Sequence, residues 1–380
     1  MSKVLMIASV ASMIDQFNWN NIKILQSMGY EVDVACNFCK GNTCSDEQIE
    51  RLKAKLTKKD VKFFQIEFTR SVSDIKRHIL SYKQLMNIMR TGNYDFVHCH
   101  SPIGGVIGRL AAHKNHIKAI YTAHGFHFYQ GAPLKNWVLF WPVEKYMSRF
   151  TDILITINRE DYNRAKKFHA KEVAYVPGVG IDVEKFASSI DNEKKREELG
   201  LKVADIVLLS VGELSVRKNH ITVLKALKTL KCPRIKYIIC GQGEQEYLLK
   251  TKAEEWGILK QVIFLGFRND ILEICKSADI FVFPSLQEGL PVALMEAMAA
   301  GLPCVASEIR GNSDLLEDGK GGFLVEKNND REFADRIAAL LKDSELRRSM
   351  GEENHSSMSL YDVENIGKKM KCIYEKIAQM

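Results

Sequence analysis

The sequence has no apolar run that approaches the roughly 20 residues needed to cross a bilayer as a helix. Its N-terminus also lacks the layout of a secretory signal peptide. Nine cysteines without such a signal favour a reducing compartment, because disulfides persist mainly in oxidising ones. We therefore expect a cytoplasmic protein, and 380 residues with 46% hydrophobic content are enough for two domains with substantial cores.

Patterns that bind metals are equally scarce. Cys36, Cys39 and Cys44 form a C-x2-C-x4-C run, but no His pair or second C-x2-C pair has a spacing suited to zinc. No D-x-D motif stands where a metal ion could hold a diphosphate. The sequence therefore predicts no metal and no other cofactor, and a metal site at the three cysteines is the alternative.

Positive charge is concentrated in the first half of the chain. Residues 1–178 carry 25 Lys and Arg against 15 Asp and Glu, a net +10, whereas residues 179–380 carry 29 against 32, a net −3. This asymmetry indicates that the first half meets an anionic surface. Because no nucleic-acid motif with base-reading aromatic residues is present, an anionic membrane is favoured over nucleic acid. Lysines that only improve solubility are the alternative.

Short apolar runs alternate with helical patterns through this half. The strand-like runs are residues 4–9, 31–36, 62–66, 96–100, 119–122 and 153–157. The helical patterns are residues 14–28, 46–56, 73–89, 105–113, 136–148 and 159–167. This alternation predicts an α/β fold with a mostly parallel sheet and with ligands outside its carboxyl ends. Polar residues at those ends are Ser9, His100 and His124, and a histidine that only satisfies loop backbone is the alternative for His124.

Residues 131–150 predict an aromatic and basic helix that is interrupted at Pro142. Trp137 and Trp141 lie there between Lys135 and Lys145. Such a helix can rest in a lipid headgroup layer, or its aromatic side chains can pack between sheet and helix. Both interpretations stay open at this point.

The second half begins after a linker-like run of one proline and two glycines at residues 177–180. A strand at residues 206–211 leads into Gly212, whose lack of a side chain lets the backbone approach a phosphate closely. Arg217 and Lys218 follow, placed to neutralise such a phosphate. Residues 241–243 read G-x-G, but the third glycine of a dinucleotide fingerprint is absent.

Two carboxylates surround a predicted helix start in residues 281–301. Residues 280–283 predict a strand and residues 284–290 a loop that carries Glu288. Pro291 is predicted to be the first helical residue, with the helix ending near Ala300. The unpaired amides and the dipole of its first turn would favour a phosphate. Glu296 lies a turn and a half inside this helix, and the alternative is that both glutamates are solvated surface charges.

The run FPSLQEGLPVALMEAMAAGLPCVAS, followed by GNSDLLEDGKGGFLV, resembles the E-x7-E signature of family 4 retaining glycosyltransferases. The resemblance implies the GT-B fold, in which two Rossmann-like doubly wound domains face a central cleft. It implies an acceptor-side domain over residues 1–178 and a nucleotide-sugar-binding domain over residues 179–360. The final helix, in residues 361–380, would cross back to the first domain.

The resemblance also implies roles for individual residues. His124 would act at the reacting centre with Glu288 and Lys218, and Glu288 would contact the donor sugar while Glu296 contacts the ribose hydroxyls. The implied donor-binding residues are Gly212, Arg217, Lys218, Gly266, Phe267, Arg268, Glu288, Gly289, Leu290, Pro291 and Glu296. On the acceptor side we expect His100 and Ser9.

Two positions depart from the family pattern. Ser-Val-Ala-Ser replaces the common Gly-Gly turn after the first strand, and Glu213 replaces the arginine that usually follows Gly212. We hypothesise that Arg217 supplies the missing cation.

The expected function is transfer of a sugar from a UDP-sugar, with retention and without a metal ion, to a polyprenyl-diphosphate-linked saccharide. This reaction would serve capsule or exopolysaccharide assembly at the inner face of the membrane, with the enzyme bound peripherally. The alternatives are a UDP-sugar epimerase and a catalytically weak assembly subunit.

Overall fold

The chain forms two compact units in the computed structural model, which describes residues 2–187 and 192–380. Unit 1 comprises the residues up to Gly180 together with Glu364–Met380, and unit 2 is Ile181–Val363. Each unit is an α/β layer structure around its own parallel sheet, as the sequence predicts.

The sheet of unit 1 has seven parallel strands in the order β3-β2-β1-β4-β5-β6-β7. The strands are β1 Lys3–Val10, β2 Glu31–Asn37, β3 Lys62–Gln65, β4 Phe96–His100, β5 Lys118–Ala123, β6 Ile153–Thr156 and β7 Glu172–Tyr175. The helices between them are α1 Ala11–Phe17, α2 Trp19–Ser27, α3 Asp46–Lys58, α4 Ile75–Gly92, α5 Pro102–Lys114, α6 Leu134–Met147 and α7 Arg159–Ala165.

Strand alternation distributes the apolar residues of unit 1 between two cores. Val4 and Met6 of β1 face a core that includes α1, α2 and α3, whereas Leu5 and Ile7 face a core that includes α4 to α7. Both faces of the sheet are therefore covered, which is the usual condition of parallel sheets.

Two predictions for unit 1 are corrected by the structure, and one strand is added to it. The helix predicted over residues 14–28 is divided at the buried Asn18, whose side-chain amide donates a 3.1 Å hydrogen bond to the Met13 carbonyl. Pro142 does not interrupt α6; it lies on the exposed side of a continuous helix, where water can reach the carbonyl left without a partner. The strand β7, whose four residues are all half-buried, was not predicted.

The sheet of unit 2 has six parallel strands in the order β10-β9-β8-β11-β12-β13. The strands are β8 Ile206–Val211, β9 Ile235–Cys240, β10 Val262–Gly266, β11 Ile280–Phe283, β12 Cys304–Ser307 and β13 Gly322–Val325. The helices are α8 Val183–Ala187, α9 Asn192–Glu198, α10 His220–Leu230, α11 Glu246–Glu255, α12 Ile271–Ser277, α13 Val292–Ala299, α14 Asn312–Leu315, α15 Asp330–Lys342 and α16 Ser344–Ser357. The strand order reverses between β8 and β11, and the loops after these two strands therefore lie where open α/β sheets bind ligands.

The last helix, α17 Val363–Gln379, packs on unit 1. Ile366, Met370, Ile373, Tyr374 and Ile377 join the core beneath α1 to α3. Within the described residues, no helix is both long enough and apolar enough to span a bilayer.

Candidate active site

Three glycines lie side by side where β10, β9 and β8 end. The Gly241 amide donates a 2.7 Å hydrogen bond to the Gly266 carbonyl, and the Gly212 amide donates one of 2.9 Å to the Cys240 carbonyl. A Cβ atom at Gly241 would lie 1.8 Å from the Gly212 carbonyl oxygen, so no larger residue fits there. The two predicted residues Gly212 and Gly266 therefore belong to one backbone surface, and Gly241, the first glycine of the G-x-G run, joins them.

Two cations share one carboxylate oxygen beside this surface. The Lys218 ammonium and the Arg217 guanidinium donate to Oε1 of Glu288 over 2.7 and 2.9 Å. The Lys218 ammonium also lies 4.6 Å from the centre of the Phe283 ring. Burial is the largest influence on the Lys218 pKa and lowers it, although Glu288 acts in the opposite direction. An anion with more charge than a carboxylate could engage both cations.

The β11–α13 loop, residues 284–291, is held by two arginines. Arg217 donates to the Gln287 carbonyl over 3.0 Å, and Arg310 donates to the Glu288 carbonyl over 3.2 Å. Arg310 was not predicted from the sequence, because it lies beyond β12 and is brought to Glu288 only by the pairing of β12 with β11. An arginine shortly after a strand end was the only signal that could have indicated it.

Gly311 fixes the same loop from the other side. Its backbone has φ +84°, and a Cβ atom there would lie 2.5 Å from the Gly289 carbonyl oxygen. Leu290 and Pro291 continue the loop and are buried. The predicted residues 288–291 therefore pack directly against Gly311. Any side chain at position 311 would push this loop away.

The helix after this loop begins one residue later than predicted. Pro291 is the N-cap with extended backbone (φ −79°, ψ 116°), and α13 runs from Val292 to Ala299. The helix ends close to Ala300, as the sequence predicts, and Gly301 follows with φ +80°. Since the proline lies outside the helix, the first-turn amides that lack helical partners begin at Val292.

Glu296 lies within α13 as a largely buried carboxyl group. Burial raises its pKa to about 7, and the positive charge of Lys185 on α8 partly opposes this shift. The group therefore titrates near neutral pH, and either a proton or hydrogen bonds from a ligand can stabilise it.

Phe267 and Arg268 follow β10 and differ in their surroundings. Phe267 is 59% exposed. The Arg268 guanidinium donates to Asp270 (Nε to Oδ1, 2.7 Å) and to Glu198 over 3.2 Å, and these carboxylates hold its pKa above its ordinary range. The guanidinium is thus engaged in an ion-pair cluster, whereas the Phe267 ring is open to a planar ligand.

In unit 1, three histidines lie close together at the ends of β4 and β5. His100 Nδ1 and His124 Nε2 are 3.1 Å apart, and the rings of His98 and His100 have centroids 4.1 Å apart. His98 is further hydrogen-bonded to the hydroxyls of Tyr374 (3.0 Å) and Thr122 (2.8 Å). Burial lowers the pKa of His124 to about 4 and that of His98 to about 3, so both are neutral at pH 7.

His100 carries a nitrogen without a hydrogen-bond partner among the described residues. This atom, Nε2, is buried, and burial is also the main cause that holds the His100 pKa well below its ordinary value. A buried polar atom of this kind is costly unless a ligand or water satisfies it.

Ser9 does not join this cluster. Its hydroxyl lies 2.7 Å from the Ser101 hydroxyl and accepts a 3.0 Å hydrogen bond from the Gly104 amide at the start of α5. The side chain is therefore used to hold β1 against α5, and the acceptor contact predicted for Ser9 stays a prediction.

The cysteine run lies around the end of β2. Cys36 is buried, Cys39 is exposed and Cys44 is half-buried. Across the residues that the structure describes, no group of three or more His, Cys, Asp or Glu side chains is arranged to hold a metal ion.

Comparisons with known proteins agree over both units. Residues 191–356 match the family described as "Glycosyl transferases group 1", and residues 3–158 match "Glycosyl transferase 4-like". The chain is 37% identical to "Putative glycosyltransferase EpsD" of Bacillus subtilis (strain 168), over 100% of this chain and 97% of that protein. It is 33% identical to the "UDP-Gal:alpha-D-GlcNAc-diphosphoundecaprenol alpha-1,3-galactosyltransferase" of Escherichia coli, over 75% of this chain and 76% of that protein.

Similarity to solved structures extends over the whole chain. The crystal structure of HepE from Anabaena in complex with UDP and glucose superposes with a TM-score of 0.80 at 20% identity, covering 100% of both chains. This similarity concerns the fold, and it agrees with the GT-B architecture that the sequence predicts.

Proposed function

The chain belongs to the group 1 glycosyltransferases, and from this premise we propose that it transfers a sugar from a UDP-sugar to a polyprenyl-diphosphate-linked saccharide. The proposed reaction retains the anomeric configuration and needs no metal ion. It contributes to capsule or exopolysaccharide assembly at the cytoplasmic face of the membrane.

The observation that carries the proposal is the ion-pair cluster of Glu288 with Arg217 and Lys218. It lies between the ends of β8 and β11, beside the glycines at the strand ends and before the first turn of α13. A diphosphate brings more negative charge than one carboxylate, so it can draw both cations towards itself. The same cations then stabilise the charge that develops on UDP as the glycosidic bond breaks.

Each remaining group has a proposed task. Released from its ion pairs, Glu288 meets the hydroxyls of the donor sugar, and Glu296 accepts hydrogen bonds from the ribose hydroxyls. Phe267 covers the uracil, as its exposed ring allows. His124, neutral at pH 7, contributes a hydrogen bond at the reacting centre rather than a positive charge.

Arg217 is proposed to replace the arginine that relatives carry at the position of Glu213. Its guanidinium reaches the same carboxylate oxygen as Lys218, which supports this substitution of roles. Glu213 itself is exposed.

The nature of the acceptor is supported by the E. coli relative, whose name specifies a diphosphoundecaprenol-linked N-acetylglucosamine acceptor, UDP-galactose as donor and an α-1,3 linkage. UDP-hexoses carry their sugar in the α configuration, so an α-linked product is consistent with retention. The net charge of +10 on residues 1–178 is consistent with binding at the surface of an anionic membrane.

The test is release of UDP from a set of UDP-sugars with and without polyprenyl-diphosphate-linked N-acetylglucosamine. Acceptor-dependent release in the presence of EDTA, with an α-linked product by NMR, is the expected result. Lys218→Gln should reduce turnover by about 100-fold or more, whereas Lys225→Gln, which removes an exposed lysine from α10, should leave it unchanged.

The alternatives give different results in the same assay. An epimerase would convert the UDP-sugar without any acceptor. A catalytically weak assembly subunit, an alternative favoured by Glu213, would bind UDP without turnover, and Glu213→Arg would then be expected to raise activity. If neither turnover nor UDP binding is found, the proposal fails.

A further inference from the structure

Unit 1 exposes large apolar side chains in one region. Apart from Met380, every exposed large apolar residue in the described part of unit 1 lies on α4, on α6 or directly before α4. They are Val72, Ile75, Ile79, Leu80, Leu134, Val138, Leu139, Val143 and Tyr146. Scattered exposed apolar residues are ordinary on soluble proteins, but a cluster of this kind marks an interaction surface.

The outward side of the helix α6 is apolar, and its inward side carries Trp137, Phe140 and Trp141, which pack against the core. Leu134 is 82% and Val138 77% exposed, and Lys135 is the one charged residue among the seven exposed positions of the helix. Glu144 is buried instead, where it accepts a 2.9 Å hydrogen bond from the buried Arg109. A surface helix normally presents a charged face to water, whereas the outward side of α6 is mostly apolar.

The helices α4, α5 and α6 contain a single carboxylate, that of Glu144, and it is neutralised in the interior. Asp74, directly before α4, caps that helix and pairs with Arg77 at 3.5 Å. The exposed cations of this region are Lys76, Lys83, Arg90, Lys114, Lys135 and Arg149. The exposed charged residues on these three helices are therefore all basic.

The topology places one end of this surface at the carboxyl edge of the sheet of unit 1. The helices α4, α5 and α6 are consecutive crossovers between parallel strands and pack side by side on one face of the sheet. Their first turns therefore lie towards the carboxyl edge, where His100 and His124 are located. Leu134, Val138 and the apolar residues at the start of α4 are all near this edge.

We infer that the α4–α6 surface, defined by the nine apolar residues and six cations named above, docks on an anionic lipid bilayer. The apolar side chains enter the boundary between headgroups and acyl chains, and the cations pair with lipid phosphates. A symmetric dimer through this surface would place cations against cations, which opposes self-association. One part of the inference rests on the proposed function, namely that docking brings the carboxyl edge of unit 1 to a lipid-linked acceptor. The binding of lipid itself does not depend on it.

Sedimentation of the full chain with vesicles tests this inference. Binding to vesicles of phosphatidylcholine with about 30% phosphatidylglycerol should be at least about tenfold tighter than to phosphatidylcholine alone. The double variant Val138→Ser/Leu139→Ser should weaken binding by about tenfold or more, because its apolar groups no longer enter the bilayer. The matched control is Val203→Ser/Leu259→Ser, which removes two exposed apolar side chains from unit 2 and should bind as the wild type does.

Three results would overturn the inference. These are equal binding to neutral and anionic vesicles, unchanged binding by Val138→Ser/Leu139→Ser, and a dimer in light scattering that this double variant abolishes. Circular dichroism and UDP-induced thermal stabilisation of the variant check that its fold is intact. The two proposals can fail separately. If the wild type transfers no sugar but binds anionic vesicles, and the double variant does not bind them, the docking surface is supported although the proposed function has failed.

Discussion

Replacing Glu296 with glutamine tests how the buried carboxyl group in α13 limits stability. Burial raises its pKa from an ordinary 4.5 to about 7, and at 1.36 kcal/mol per pKa unit this difference corresponds to about 3 kcal/mol. Because the pKa in the folded state is the higher one, the stabilising contribution is fully present below about pH 4.5. It is lost as the pH rises through about 7, where the buried group must ionise.

The measurement is denaturant unfolding of wild type and Glu296→Gln at about pH 4.5 and pH 8.5. Near pH 4.5 both proteins carry a neutral side chain at this position and should have similar free energies of unfolding. Near pH 8.5 the variant should be more stable by up to about 3 kcal/mol. Glu254→Gln on α11 removes an exposed carboxylate and serves as the control, with little change at either pH.

A stability difference between Glu296→Gln and wild type that is the same at both pH values would refute this reasoning. The pH dependence of UDP binding provides a second test of the Glu296 carboxyl group. If ribose hydroxyls bind the ionised carboxylate, UDP affinity of the wild type rises between about pH 6 and 8 more steeply than that of the variant. Equal pH profiles would exclude this role for Glu296.

The remaining predictions concern three other positions. Lys218→Ala should leave Glu288 without its buried partner and weaken UDP binding by about 10- to 100-fold in calorimetric titration; unchanged affinity would contradict the assignment. Tyr374→Phe should destabilise the protein by about 1–3 kcal/mol in denaturant unfolding, since a buried nitrogen of His98 loses its partner, and a neutral effect would contradict this. Gly311→Ala should weaken UDP binding because its Cβ displaces the β11–α13 loop, whereas Gly319→Ala, with similar φ but open space, should lose stability without losing UDP; equal UDP affinity in both would be the contrary result.

The sequence was sufficient where a site depends on short segments. The loop, the proline and the helix around Glu288 lie within a single run of residues, and their local patterns predict the strand correctly and the ends of the loop and the helix to within one residue. Lys218 and Arg217 follow a recognisable strand end, so their pairing with Glu288 is a natural consequence of neighbouring strands.

Partners distant in the chain could not be predicted in this way. Arg310 reaches the loop, and Tyr374 reaches His98, only after the sheet of unit 2 and the last helix are in place. Nothing in the local sequence around either residue specifies its partner. The places of two prolines in their helices were also predicted wrongly: α6 continues through the exposed Pro142, and Pro291 lies just outside α13 as its N-cap.

The return of α17 to unit 1 bears on the order of folding during synthesis. Unit 2 is one continuous segment and can acquire all its contacts as soon as Val363 has left the ribosome. Unit 1 starts first but still lacks Met370, Tyr374 and Ile377 from its interior at that moment. Its nascent form therefore exposes an incomplete apolar face until α17 emerges, and a stop codon before Met370 would damage the part of the protein that was made first.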